Sequence, residues 1–292
     1  MSRRCTAASS RHSDCPRTSP VGCPRLPMTL TNCTARAAKT PDIEARLLLG
    51  AGVVAFSRGD MLTGAQLAGE AAELRRVLGD PHAEVIALCL AAHVYTFVDN
   101  GRAGQLLDEA RSRLPGTTDP RLGDFVEAEI AVHLVWAGDL DAAEPMFRAI
   151  LADESRTDFG ADFAASYLAD CAVMRGKYDE ALPHYATTLR RLRGRQAHNV
   201  LLQCFGIATA LAGLGRDSDA IELISAVHAI AVSRDGAEIP EELGVGTADL
   251  LAGARERLGP DAVTEAERRG RRRDFDETVE WALELADRVA VG

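Results

Sequence analysis

The sequence predicts an all-α fold, a superhelix of stacked helix–turn–helix hairpins (an α-solenoid). Three observations carry that prediction. Helix-start signals recur about every 39 residues, turn glycines recur with nearly the same interval, and apolar residues between these marks follow helical spacing.

The start signal is a capping residue followed by Pro. Thr40-Pro41, Asp80-Pro81 and Asp119-Pro120 carry it, 40 and 39 residues apart. The cap oxygen accepts from backbone N–H groups that have no helical partner, and Pro fits the first turn because its missing N–H would be unpaired there. Another 39 residues lead to Asp158-Phe159, a cap without Pro, and a further 39 to Ala197-His198, where the mark is lost; Ile239-Pro240 restores it after a longer interval. The turn marks are Gly59, Gly101, Gly138, Gly176 and Gly215, at intervals of 42, 37, 38 and 39. Glycine there accepts the left-handed conformation that ends a helix. Five positions on, Gly64, Ala143, Ala181 and Ala220 are small, as close helix contact requires, while Leu106 stands in the second repeat.

Apolar stripes fill the segments between. Tyr178, Ala181, Leu182, Tyr185, Leu189 and Leu192 share one helical face; so do Leu122, Val126, Ile130 and Leu134. A single hairpin cannot bury its stripe, and stacking the next one on it does. The expected organisation is a disordered tail over 1–39, about five hairpins over 40–235, and C-terminal capping helices over 236–292. Residues 1–27 are expected to be a non-functional extension before an alternative start at Met28.

Composition agrees with helices. Hydrophobic residues make up 47% of the 292-residue chain and aromatics only 5%, a mix suited to packing through Ala and Leu. Residues 1–40 hold seven cations against Asp14 alone, a net +6, so residues 41–292 carry −16 of the chain's total of −10. An acidic body is repelled by phosphate backbones, and no direct nucleic-acid contact is expected of it. The longest apolar run, Val85 to Ala92, is far short of the roughly 20 residues that a spanning helix needs, so no membrane partner is expected. Arg3-Arg4 is followed by no apolar segment of an export signal, and a cytoplasmic location is expected.

Candidate chemistry reduces to packing. His12, Cys15, Cys23 and Cys33 contain no Cys-x-x-Cys pair and fit no zinc finger, so no metal is expected. Gly50-Ala-Gly52 imitates a dinucleotide fingerprint but lies inside a helical repeat, so no cofactor is expected either. No His-Glu-x-x-His or Gly-x-Ser-x-Gly occurs, and no enzyme activity is expected. Glu241 and Glu242 read as first-turn carboxylates after Pro240, and Arg190, Arg191, Arg193 and Arg195 as cations at a helix end. Arg268, Arg269, Arg271, Arg272 and Arg273 read as a solvated surface loop with local ion pairs. His93, Tyr95, His133 and Trp136, in first helices of successive pairs, are the candidate lining of a binding groove.

Gly138-Asp-Leu-Asp-Ala-Ala-Glu and Gly176-Lys-Tyr-Asp-Glu-Ala-Leu resemble the turn and second-helix start of tetratricopeptide repeats, with a period longer than the usual 34. Ala208 to Leu223, Leu258-Gly-Pro-Asp-Ala, Gly270-Arg271 and Asp276 to Leu283 together look like the close of the helical-repeat region in large actinobacterial regulators, the LuxR-type and cyclase-linked STAND ATPases. The resemblance covers roughly residues 41–292. It implies a right-handed superhelix that senses a signal or contacts a protein or peptide partner in a regulatory pathway. The sequence holds no Gly-x-x-x-x-Gly-Lys-[Ser/Thr] loop, and only nine residues follow Leu283, so the family's ATPase and DNA-binding activities are not implied. The expected function is a binding module whose concave groove takes a protein, a peptide or a small-molecule signal. The alternative is a structural adaptor that forms a homo-oligomer through its end helices.

Overall fold

Two glycines in neighbouring helices show how tightly this chain packs. In the computed structural model, a Cβ at Gly52 would stand 3.0 Å from the carbonyl oxygen of Gly64, and one at Gly64 3.1 Å from that of Gly52. Of the dinucleotide-like glycines, Gly52 is thus a helix-crossing point. The structure describes residues 40–57, 60–119, 121–152, 158–194, 197–236, 239–241, 244 and 246–290. The expected tail, Gly59, Pro120 and the N-terminal cysteines lie outside the described residues.

Thirteen α-helices occur among the described residues, and no strand. In chain order they are α1 (Pro41–Ser57), α2 (Met61–Leu78), α3 (Pro81–Thr96), α4 (Asn100–Arg113), α5 (Arg121–Trp136), α6 (Leu140–Ala152), α7 (Asp158–Met174), α8 (Tyr178–Leu192), α9 (Ala197–Gly213), α10 (Asp217–Asp235), α11 (Thr247–Leu258), α12 (Pro260–Gly270) and α13 (Phe275–Ala290). From α1 to α12 each packs on its sequence neighbour, and the first helices of successive pairs, α1, α3, α5, α7 and α9, also touch one another.

Local chemistry sets the boundaries. The side chains of Asp60, Asp80, Asp99 and Asp139 accept from the backbone N–H groups of Thr63, Ala83, Arg102 and Ala142. Asp274 and Glu277 cap each other's N–H groups at 2.9 and 3.2 Å where α13 begins. Gly138, Gly176 and Gly215 have φ of 81°, 71° and 72°. Each donates to the carbonyl three residues back, and the residue after each donates to the carbonyl five back, so one turn is built three times.

Three readings need correction. Gly101 is not a turn glycine. It lies in the first turn of α4 without a positive φ, and the preceding turn closes instead through Asp99, whose N–H bonds Tyr95 O at 2.7 Å. Ile239-Pro240 starts no α-helix among the described residues; Ile239 is drawn into the core, and Glu241 pairs with Arg255 at 2.6 Å and is not a first-turn carboxylate. The arginine-rich stretch is not a free loop. Arg268 and Arg269 belong to α12, and although Arg268–Glu265 and Arg271–Glu267 are local pairs, Arg269 and Arg273 reach back to the buried Glu222 on α10 at 2.6 and 2.8 Å. Arg273 also lies 3.9 Å over the Trp281 ring, so the cluster ties α10, α12 and α13 together. Likewise, Arg190 and Arg193 at the end of α8 pair with Asp287 and Glu280 on α13.

Candidate binding cavity

The first helices carry a second stripe besides the one that packs against their partners. On α7 it runs Asp162, Phe163, Ser166, Tyr167, Asp170; on α9 it runs His198, Asn199, Leu202, Gln203, Gly206, Thr209. Both follow the i, i+4, i+8 rule of a single helix face. Matching residues of α1, α3 and α5 join them, and together they line one cavity of about 840 Å³, with smaller contributions from α2, α6, α8 and α11. Sites for small molecules usually span about 300–1,000 Å³.

One polar residue per helix is placed at the same register. His93 on α3, Glu129 on α5, Ser166 on α7 and Gln203 on α9 succeed one another at 36, 37 and 37 residues. His93 Nδ1 donates to Glu129 Oε2 at 2.9 Å, and Gln203 Nε2 donates to Ser166 Oγ at 3.1 Å. Thr209 and Thr247, 38 apart, share a hydrogen bond of 2.9 Å at the far end. The repeat that stacks the helices therefore also lays a polar column along the cavity.

The two ends differ. Phe56, His93, Phe97 and Trp136 form a chain of ring contacts, with Phe97–Trp136 centroids 4.7 Å apart and the other neighbours 5.6–5.7 Å apart. The part lined by α7, α8 and α9 mixes apolar side chains such as Phe163, Leu192 and Leu202 with a polar set: Asp162, Ser166 and Asp170 from α7, Tyr185 and Thr188 from α8, and Gln203 from α9. Tyr185 O–H donates to Asp170.

Titration behaviour follows from these contacts. Burial raises the Asp170 carboxyl from 3.8 to about 6 against the opposing pull of the Tyr185 hydrogen bond. Burial also pushes the Tyr167 and Tyr185 phenols well above their usual range. For His93, burial works against the charged ring, yet the Glu129 carboxylate outweighs it and the net shift is upward. The Cys171 and Cys204 thiols are pushed up to about 12 by burial, and with Cys89 they are buried and unbridged, so they offer no thiolate. Among the described residues, no three His, Cys, Asp or Glu side chains are grouped to hold a metal ion, and no helix is long and apolar enough to cross a membrane.

Of the four residues singled out in the sequence, two line the cavity and two do not. His93 and Trp136 line it at the aromatic end. Tyr95, about 200° around α3 from His93, lines a separate recess between α2, α3 and α4. His133, about 60° around α5 from Trp136, turns to α4, where its Nε2 lies 3.2 Å from the position of a Cβ on Gly104. Burial holds His133 below its usual pKa. Glu129, Ser166, Gln203, Asp162, Asp170 and Tyr185 are additional wall residues that their identities alone do not flag. Overlaying the repeats at 36–37 residues is the signal that finds the first three.

Compared with known proteins, the chain matches no family model and no curated sequence.

Proposed function

We propose that this chain is a helical-repeat binding module of a regulatory protein, a right-handed superhelix of tetratricopeptide-like hairpins that holds a protein, peptide or small signal in a concave groove. The observation that supports it most is the shared wall: equivalent positions of successive first helices line one cavity, with a polar residue at the same register in α3, α5, α7 and α9. A core built only for packing would fill those positions with apolar side chains, because each buried polar group must be satisfied or it destabilises the fold. No catalytic step is assigned. Ser166 is bonded to an amide, and burial holds the Cys171 and Cys204 thiols protonated.

Retention measurements test this reading. The full chain is mixed with the peptide and small-molecule fractions of its own cells, filtered, and the retained compounds are identified by mass. Wild type is expected to enrich a defined compound, and Ala128→Trp, which fills the cavity, to lose it with helicity unchanged. Equal retention by both variants refutes the groove.

A structural adaptor that self-associates is the second reading. It is favoured by α1, where Ile43 and Val54 are 46% and 43% exposed and lie eleven residues apart on one face, with open space over Gly50 between them. Under that reading, light scattering finds a concentration-dependent oligomer that Val54→Lys dissolves.

A further inference from the structure

We propose that the cavity is built for a cation, a protonated amine or guanidinium carried on an apolar body, with the charge seated between α7, α8 and α9. This deepens the groove reading and rests on it.

Charge on the wall is one-sided. Asp124, Glu129, Asp162 and Asp170 line the cavity, and Arg121 is the one arginine or lysine among the described lining residues. The Arg121 guanidinium is already bound through Nε and Nη2 to Asp119, and His93 is bound to Glu129. Asp162 has Arg191 at 3.6 Å from outside the wall. Asp170 has no cation within reach among the described residues, and its partner is a neutral phenol. A half-buried carboxylate left with one neutral donor destabilises the fold unless something charged arrives to meet it.

Two neighbouring side chains ask for the same thing. Gln203 and Thr188 line the cavity, are only 5% and 1% exposed, and hold buried oxygens, Gln203 Oε1 and Thr188 Oγ1, with no hydrogen-bond partner among the described residues. Ser166, which holds the Gln203 amide, is one turn from Asp170 on α7, and Thr188 is one turn from Tyr185 on α8. A carboxylate, an amide oxygen and a hydroxyl oxygen from three successive helices therefore line the same cavity as acceptors. An ammonium or guanidinium supplies several N–H donors and the missing positive charge together. At the other end, Phe97 and Trp136 line the cavity and suit an apolar group, and the buried Trp136 Nε1–H, which lacks an acceptor among the described residues, suits a carbonyl on that group. The specification is a cation at one end and an apolar, acceptor-bearing group at the other.

Three flat probes of nearly equal shape test the sign of the charge: benzamidinium, benzamide and benzoate, each titrated calorimetrically into the full chain at neutral pH. Benzamidinium is expected to bind about tenfold or more tighter than benzamide, as charge-assisted hydrogen bonds to a buried carboxylate predict, and benzoate not at all. Asp170→Asn, which keeps the shape and the Tyr185 contact, is expected to bring benzamidinium down to the benzamide level without weakening benzamide. Gln203→Leu is expected to weaken benzamidinium more than benzamide, and the remote Glu73→Gln to change neither. Equal affinity for all three probes, a preference for benzoate, or no binding by any of them overturns the cation assignment; the retention experiment decides the groove separately. Acetyl-Phe-Arg-amide against agmatine then identifies the source: tighter binding of the dipeptide points to a basic peptide, tighter binding of agmatine to a free amine.

Discussion

The helices up to α6 and those from α7 onward are filled with different material. The core under α2–α5 is half alanine, with Ala68, Ala71, Ala72, Ala87, Ala91, Ala92 and Ala110 buried beside a few Leu and Val. A second small cluster, around Phe147, sits between α5, α6 and α7. From α7 to α13 a single continuous cluster takes over, and of the largest fully buried side chains all but Phe147 and Val85 lie between Leu182 and Leu285. Exposure runs the other way: Ile43, Val53, Val54, Leu62, Val77, Leu78 and Val98 are exposed before residue 100, and only Met174, Leu214 and Val232 after it, among the described residues. Hydrophobic stabilisation scales with apolar area removed from water, at about 25 cal/mol per Å². The C-terminal helices are therefore the anchor, clamped further by α13, which packs on α8, α9 and α10. The alanine-lined pairs form the half that opens at lower cost, and the aromatic end of the cavity lies there.

The largest expected effect separates the two halves. Leu211 is fully buried in the C-terminal cluster, and Leu211→Ala is expected to cost about 2–5 kcal/mol. Leu107→Ala, in the alanine-rich cluster, should fall at the lower end of that range, because smaller neighbours leave fewer contacts to lose. Hydrogen exchange is the sharper readout, with slower amides in α9–α13 than in α1–α4; uniform protection along the chain would erase the distinction.

Overpacking comes next. The small residues five positions after the turns, Gly64, Ala143, Ala181 and Ala220, are all buried. Ala181→Leu is expected to cost on the order of 1–3 kcal/mol in thermal or urea unfolding, and Gly64→Leu at least as much, because its Cβ already meets backbone at 3.1 Å. A melt equal to wild type for Ala181→Leu would show that the hairpins are spaced by something other than helix contact.

A gain in stability is expected at the cavity. Asp170 has a folded pKa of about 6 against an ordinary 3.8, so the fold favours its protonated form. The favourable contribution is complete below about 4 and is lost as pH rises through about 6. Asp170→Asn removes a buried charge at neutral pH and is expected to raise stability by about 1–3 kcal/mol there, with the gain fading as pH falls toward 4. A loss of stability at neutral pH would mean that the Tyr185 contact outweighs burial of the charge. The smallest effect is at the surface: Glu73→Gln breaks an exposed pair with Arg76 one turn away and should melt with wild type.

Legibility differed by level. Helix starts and turns were written locally, in Asp80-Pro81, Gly138, Gly176 and Gly215, because capping and left-handed turns depend on a few adjacent residues. Asp99 shows where that fails, since Asp can close a turn that Gly was expected to mark. Among the cavity residues, His93 and Trp136 were conspicuous by type, while Glu129, Ser166 and Gln203 look ordinary until the repeats are overlaid. Asp170 and Tyr185 come from different helices, and their meeting has no signature in either segment.

By itself the sequence determined helical secondary structure, the roughly 39-residue spacing and the pairing of neighbouring helices, because caps, turn glycines and apolar stripes act within a few turns of chain. Tertiary structure alone decided which face of each first helix stayed open, that Arg269 and Arg273 close on Glu222, and that Asp170, Thr188 and Gln203 line one cavity. Those outcomes depend on how helices rotate against each other. A rotation of about 60°, the angle that separates His133 from Trp136 on α5, is enough to move a side chain from the cavity wall into a packing contact.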